Sequence, residues 1–141
     1  MSTDLTLTLT SRLKDIERLA AAVEAFGVEH ELTDEVMFAV NLSLDEVVTN
    51  VISYAFSDAQ EHPIVVRLSL DGEVLRAEVT DGGQPFNPLT VPTPDLDAPV
   101  EERRIGGLGL HIVREMMDDL EYRREGDKNV LTLTKHLTAV S

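Results

Sequence analysis

Alternating and helical patterns of apolar residues divide the chain into five predicted strands and three predicted helices. Leucines alternate with threonines over residues 5–10, which is typical of a strand that buries one face. The first helix carries an apolar stripe over residues 13–26, and we expect Gly27 in a left-handed conformation at its end. The second helix is predicted to begin after Thr33, whose hydroxyl can cap it, and to run to about Tyr54.

Two hairpins are predicted in the second half of the chain. The first turns at Asp71-Gly72, a strong two-residue hairpin signal with alternating apolar residues on both sides. The second turns at residues 125–128, and the residues expected to pair across it are Leu120, Tyr122, Leu131 and Leu133. Because hairpins place neighbouring strands antiparallel, we expect an α+β fold. It would be a two-layer α/β sandwich with a mixed, mainly antiparallel sheet and helices on one face.

Between the hairpins lies a segment without periodicity, from Gln84 to Ile105, which holds five of the six prolines. A loop of this length in a small domain is usually functional or disordered, and a lid over a ligand is one such function. Apolar residues from Leu108 to Met117 then predict the third helix. We therefore expect residues 84–105 to form a lid.

Composition limits the functions open to this chain. Its 141 residues, 43% hydrophobic and 27% charged, fit a single folded domain over 1–141. There is no cysteine, and the four histidines lack ligand spacing, so neither a disulfide framework nor a thiolate metal site is expected. A net charge of -14 argues against direct binding of nucleic acid or an anionic membrane. With no export or anchoring signal visible, we expect a cytoplasmic protein.

Glu46 and Asn50 are four residues apart and therefore share one face of the second helix. An amide oxygen suits magnesium, which is commonly held by one or two protein oxygens together with substrate phosphates. The carboxylate could then deprotonate or orient an attacking hydroxyl. Taken alone, the pair is more often a polar stripe without a role.

Asp81 ends a strand and is followed by Gly82 and Gly83. A carboxylate at this place can accept a hydrogen bond from the exocyclic amine of adenine, while glycines let the backbone approach a flat ligand. By itself this segment is more often a simple turn after a strand.

Gly106, Gly107 and Gly109, with Leu108 between them, stand at the start of the third helix. Free N–H groups and the positive end of the helix dipole favour an anion such as phosphate there. The spacing matches neither a Walker A motif nor a dinucleotide fingerprint, and a flexible hinge is the alternative.

Together the segments Glu46-x-x-x-Asn50, Asp81-x-Gly83 and Gly106-Gly107-Leu108-Gly109 resemble the N, G1 and G2 boxes of the GHKL (Bergerat-fold) superfamily of ATP-binding domains. The wording "LSLDEVVTNVISYAF", "VTDGGQPFNP" and "GGLGLHIVREMMDDLEYRR" is most similar to RsbW/SpoIIAB-type anti-sigma-factor serine kinases. The resemblance covers about residues 5–137.

The resemblance implies a role for each segment. Asn50 would ligate magnesium, Glu46 would be the general base, and Asp81 with Gly83 would hold the adenine of ATP. The residues expected to bind the phosphates are Gly106, Gly107, Leu108 and Gly109.

The chain departs from the family pattern before the lid glycines and before the last strand. Arg104 is the candidate to touch the γ-phosphate, with Arg103 as the alternative, because Ile105 intervenes before the glycines. The superfamily often has a Gly-Thr pair before its last strand, whereas this chain has Lys128-Asn129.

The resemblance implies an ATP-dependent serine/threonine kinase that phosphorylates a small antagonist protein and also binds a sigma factor or similar regulator. The family often forms homodimers, and the exposed face of the first strand and helix could serve as the dimer surface, although no residue of this chain requires a dimer. The alternatives are a nucleotide-dependent interaction module that transfers no phosphate, or a histidine-kinase-like ATPase domain. Glu46 favours the kinase, because a pure ATP sensor needs no base.

Overall fold

A computed structural model describes residues 4–56, 60–87 and 107–137, with only the backbone described for 107–110. The elements in chain order are β1 (Asp4–Thr10), α1 (Ile16–Glu29), α2 (Asp34–Tyr54), β2 (Pro63–Asp71), β3 (Val74–Asp81), α3 (Gly107–Met116), β4 (Asp119–Glu125) and β5 (Lys128–His136). All predicted elements are therefore present. The predicted lid lies outside the described residues, apart from its first four positions.

The described strands form one sheet in the order β1-β2-β3-β5-β4. Each of its four pairings is antiparallel, so within the described residues the sheet is more uniform than the mixed sheet expected from sequence. The second hairpin has the predicted pairs, Leu120 with Leu133 and Tyr122 with Leu131. Because β5 inserts next to β3, the second hairpin extends the sheet beyond the first.

One face of the sheet is apolar, and the helices pack on it, giving the predicted two-layer α+β sandwich. Alternate residues of β2 and β3 point into the same cluster as the apolar stripes of α1 and α2, as the periodicity predicts. The fully buried members include Leu9, Leu44, Val47, Val48, Ile64, Leu68, Leu75 and Leu133. The core therefore lies between the helical layer and this face.

The start of α2 is capped as predicted, since Thr33 Oγ1 accepts a hydrogen bond from the backbone N–H of Val36 at 3.2 Å. The expectation for Gly27 is wrong. Gly27 lies inside α1, and the left-handed residue after the helix is Glu31, with φ of 56°. A Cβ on Gly27 would lie 2.7 Å from Met37 Sδ. This glycine therefore lets the two helices approach closely.

Candidate nucleotide-binding site

One part of the candidate site is a row of residues across the inner face of the sheet. Register places Ile64 beside Asp81, Asp81 beside Asn129, and Asn129 beside Arg124. Asp81 and Asn129 are both 3% exposed, so these two polar side chains are buried at the edge of the apolar core. Buried polar groups need partners, and the network around Asp81 supplies them.

One oxygen of the Asp81 carboxylate is held from two sides. Oδ1 accepts hydrogen bonds from the backbone N–H of Gly83 and from Asn129 Nδ2, each at 2.9 Å. Among the described residues Oδ2 has no hydrogen-bond partner. The carboxylate is thus oriented through one oxygen, and the other can accept from a ligand amine.

Asn129 is the centre of the network, and sequence analysis noted it only as a departure from the family pattern. Its Oδ1 accepts hydrogen bonds from Tyr122 Oη at 2.6 Å and from the Phe86 N–H and Arg124 Nη1 at 3.1 Å. Its Nδ2 also donates to the Gln84 carbonyl at 2.8 Å. The sequence alone could not mark Asn129 as part of the site, because it faces Asp81 only when β5 pairs with β3.

The loop after β3 is anchored to the end of α2. The Gln84 N–H donates to the Ala55 carbonyl at 2.8 Å, and its side chain donates to the Tyr54 carbonyl at 2.9 Å. A Cβ on Gly83 would lie 2.8 Å from Ala55 Cβ and would also strike the Ala55 carbonyl oxygen. Gly83 is therefore required for contact with the helix end. The predicted lid is fixed at its first residues, since Phe86 is bonded as well.

Glu46 and Asn50 lie together on α2, as predicted from their spacing. Asn50 is 1% exposed, and its Nδ2 donates to Glu46 Oε1 at 3.5 Å, which leaves its amide oxygen for another partner. Burial raises the pKa of the Glu46 carboxyl, and the charge of Asp45 adds to the shift, while the Asn50 hydrogen bond opposes it. A carboxyl with a raised pKa beside a buried amide is a candidate for acid–base chemistry.

Ser43, which the sequence motifs did not single out, lies one turn before Glu46 on the same face of α2. The Ser43 side chain is fully buried, and its Oγ has no hydrogen-bond partner in the described part of the chain. The spacing of Ser43, Glu46 and Asn50 at i, i+3 and i+7 in an apolar helix was a readable signal. It marks one polar stripe along the buried side of α2.

The glycine segment is described only in part. The backbone of Gly107, Leu108 and Gly109 forms the first turn of α3, which packs against α2. Gly106, Arg103 and Arg104, which were also predicted to contact the phosphates, lie outside the described residues.

Asn50 fits a magnesium ion through its oxygen, because the amide nitrogen already faces Glu46. The described residues contain no group of three or more His, Cys, Asp or Glu that could hold a metal. A magnesium ion here would therefore draw most of its ligands from substrate phosphates and water.

Among the described helices, α2 is the one long and apolar enough to cross a membrane, and half of its most apolar window is buried inside the protein. A core helix of a globular protein meets the same test. Its packing on the sheet accounts for its apolar composition.

Residues 9–135 match the model of the histidine kinase-like ATPase domain. The chain belongs to this family, which confirms the GHKL resemblance. It is 28% identical over 116 residues to the serine/threonine-protein kinase BtrW of Bordetella bronchiseptica, covering 81% of this chain and 80% of that protein. It is 29% identical over 119 residues to the serine-protein kinase RsbW of Listeria monocytogenes, covering 81% and 73%. Both of these relatives are named as serine or serine/threonine kinases.

Solved structures confirm the fold. A Mycobacterium tuberculosis protein with RsbU and RsbW domains superposes with a TM-score of 0.70 at 18% identity, covering 95% of this chain and 32% of that longer one. The histidine kinase AdeS of Acinetobacter baumannii gives 0.52 at 14% identity, covering 94% and 68%.

Proposed function

We propose that this protein is an ATP-dependent serine/threonine protein kinase of a partner-switching system. It would transfer the γ-phosphoryl group of ATP to a Ser or Thr of a small antagonist protein and would also bind a sigma factor or similar regulator. The observation that carries the proposal is the half-buried Glu46 beside the buried Asn50, because a pure nucleotide sensor needs no such carboxylate. The kinase names of its relatives support it.

Adenine would bind at the Asp81 end of the site. Its exocyclic amine would donate to Asp81 Oδ2, since Oδ1 is already held by Gly83 and Asn129. An acceptor at this place selects adenine over guanine, which has a carbonyl oxygen there. Gly83 contributes by bringing the backbone close to the helix end.

Phosphoryl transfer would take place at the Glu46 end. The ionised Glu46 accepts the proton of the substrate hydroxyl as that oxygen attacks the γ-phosphorus, and ADP departs with the electrons of the broken P–O bond. Magnesium, when bound through Asn50, would offset the phosphate charge. We assign phosphate contacts to Gly106, Gly107, Leu108 and Gly109, with Arg104 or Arg103 reaching the γ-phosphate.

We further propose that the protein acts in the cytoplasm and can form a homodimer. β1 is an edge strand with α1 packed beside it, so this face could pair with a second copy. Sedimentation of the purified protein at several concentrations would test the dimer.

The central experiment is incubation of the purified protein with Mg-ATP and candidate antagonist proteins, with phosphate transfer read by intact mass. A mass increase of one phosphate on a Ser- or Thr-bearing partner is the expected result. If the protein binds ATP and partners but transfers no phosphate to any of them, it is an interaction module and the kinase proposal is wrong.

A further inference from the structure

A surface groove lies between α1 and α2, outside the candidate nucleotide site. It has a volume of about 210 Å³ and a mainly apolar lining. Its lining residues are Ile16, Leu19, Ala20, Phe38, Asn41, Leu42 and Asp45. Because it is formed by two packed helices of the core, its shape is held by the fold.

Phe38 makes this groove unusual. Phe38 is 61% exposed, whereas Leu44 and the valines of α2 are buried in the core. A phenylalanine exposed beside an apolar cleft keeps a large area in contact with water, and covering that area would be favourable. Phe38 and Leu42 are one turn apart, so they present one apolar strip along the groove.

Charge identifies the kind of occupant. Helices α1 and α2 together carry seven acidic residues and one basic residue, whereas the five strands carry seven acidic and six basic residues. Asp45 lines one end of the groove. Two exposed acidic residues lie one helical turn from groove residues: Glu24 follows Ala20 on α1, and Asp34 precedes Phe38 on α2. The one basic residue, Arg18, is 3.3 Å from Asp15. A second copy would bring the same acidic surface, so a basic partner fits better.

We propose that the groove between α1 and α2 docks a segment of a partner protein that places an apolar side chain against Phe38 and Leu42 and flanks it with Lys or Arg. The shape of the groove and the acidic charge around it support the docking itself. Its use in recruiting a phosphorylation substrate or a regulator rests on the proposed function.

The groove also adjoins the Glu46 end of the candidate site, because Asp45 lines the groove and directly precedes Glu46 on α2. A partner docked in the groove would therefore lie next to the residue that we propose as the general base.

The test uses a synthetic amphipathic helix with Leu on one face and Lys on the other, added to the full-length ¹⁵N-labelled protein. We expect amide shifts to centre on residues around Ala20, Phe38 and Leu42, and affinity to fall with added salt. Phe38→Ser should weaken binding by about 10-fold or more, as for an interface anchor. Val28→Ser is the matched control, because Val28 is 70% exposed but does not line the groove.

Shifts centred on another surface, or equal effects of Phe38→Ser and Val28→Ser, would overturn the proposal. The proposal would also be overturned if the wild-type protein were a dimer and Phe38→Ser made it a monomer, because the groove would then be occupied by a second copy. The same peptide with Glu in place of Lys should not bind. ATP binding is measured separately by calorimetry: its absence in a protein that still docks the peptide would refute the proposed function alone.

Discussion

The Asp81 end and the Glu46 end of the candidate site differ in how firmly their polar groups are held. At the Asp81 end, hydrogen bonds of 2.6–3.1 Å connect Asp81, Asn129, Tyr122 and Arg124 across three adjacent strands. At the Glu46 end, one 3.5 Å bond joins Glu46 to Asn50 within a single helix. The end that we propose for adenine recognition is therefore already held by hydrogen bonds, whereas the end that we propose for phosphoryl transfer has polar groups left to engage a ligand.

The difference follows from the elements that carry each end. Neighbouring strands bring residues distant in sequence side by side, so Asp81 gains a partner 48 positions away. A helix offers a side chain only neighbours three or four positions away, unless another element packs on that face. The first arrangement orients a carboxylate, whereas the second leaves Glu46 desolvated with its pKa raised.

The largest effect is expected from substituting Glu46 and Asn50 one at a time, because the two residues are proposed to have different roles. Glu46→Gln should lower phosphoryl transfer by on the order of 10²-fold or more while ATP affinity stays close to wild type, because it removes only the proton acceptor. Asn50→Ala should instead weaken magnesium-dependent nucleotide binding. Single-turnover transfer and calorimetry would measure both.

The matched control for Glu46→Gln is Glu17→Gln, because Glu17 is exposed on α1. Transfer at the wild-type rate by Glu46→Gln would show that Glu46 is not the base. The two ends of the site would then no longer differ in chemical role.

The second prediction concerns base selection by Asp81. In Asp81→Asn, the amide oxygen would keep the bonds from Gly83 and Asn129, so an NH₂ group would replace Oδ2. That donor opposes the adenine amine and matches the guanine oxygen. We expect ATP affinity to fall by about 10- to 100-fold, the equivalent of a lost hydrogen bond to a charged group, with a smaller loss or a gain for GTP.

Calorimetry with ATP and GTP would test this, with the exposed Asp71→Asn as control. An unchanged ATP-to-GTP ratio in Asp81→Asn would remove Asp81 from base recognition. The firmly held network would then be purely structural.

The third prediction tests how much the network at Asn129 contributes to folding. Asn129→Ala leaves Tyr122 Oη, the Phe86 N–H and one side of Asp81 without their partner. We expect a loss of about 1–3 kcal/mol in the free energy of unfolding, the usual cost of leaving buried polar groups unpaired. Tyr122→Phe removes one donor and should cost about 1 kcal/mol.

Urea denaturation would measure both values. Equal stability of Asn129→Ala and wild type would mean that the short bonds at this end contribute no net stability. In that case the contrast between the two ends would be one of geometry alone.

The smallest effect is expected in the pH dependence. Because the pKa of Glu46 is raised, transfer should begin to fall with decreasing pH at a higher pH than for an ordinary glutamate. Asp45→Asn removes one cause of the raised pKa and should move this limb to lower pH. Because the pKa of Glu46 is raised in the folded state, protonated Glu46 contributes to the free energy of unfolding at low pH. That contribution is lost as the pH rises through the pKa of Glu46 in the folded protein.

The pH profile of single-turnover transfer would show the shift, with Glu17→Gln as the control. If Asp45→Asn moved the acidic fall in transfer to higher pH, Glu46 would not be the titrating base.

Local patterns determined the elements of this protein. The alternation in β1, the cap at Thr33 and the four-residue spacing of Glu46 and Asn50 depend on contacts within a few residues, and all appear as predicted. The paired leucines of the second hairpin follow for the same reason, since a tight turn sets the register of its own strands. The family likeness likewise rested on short segments.

Only the tertiary structure decided what the elements bring together. The place of β5 beside β3 unites Asp81 with Asn129, and the end of α2 explains Gly83 by its contact with Ala55. Gly27 was misread because a packing contact with Met37, rather than the end of the helix, requires it. These features depend on which distant surfaces meet. Which surfaces meet is determined by burial of the whole hydrophobic core, and the spacing of residues within one segment does not reveal it.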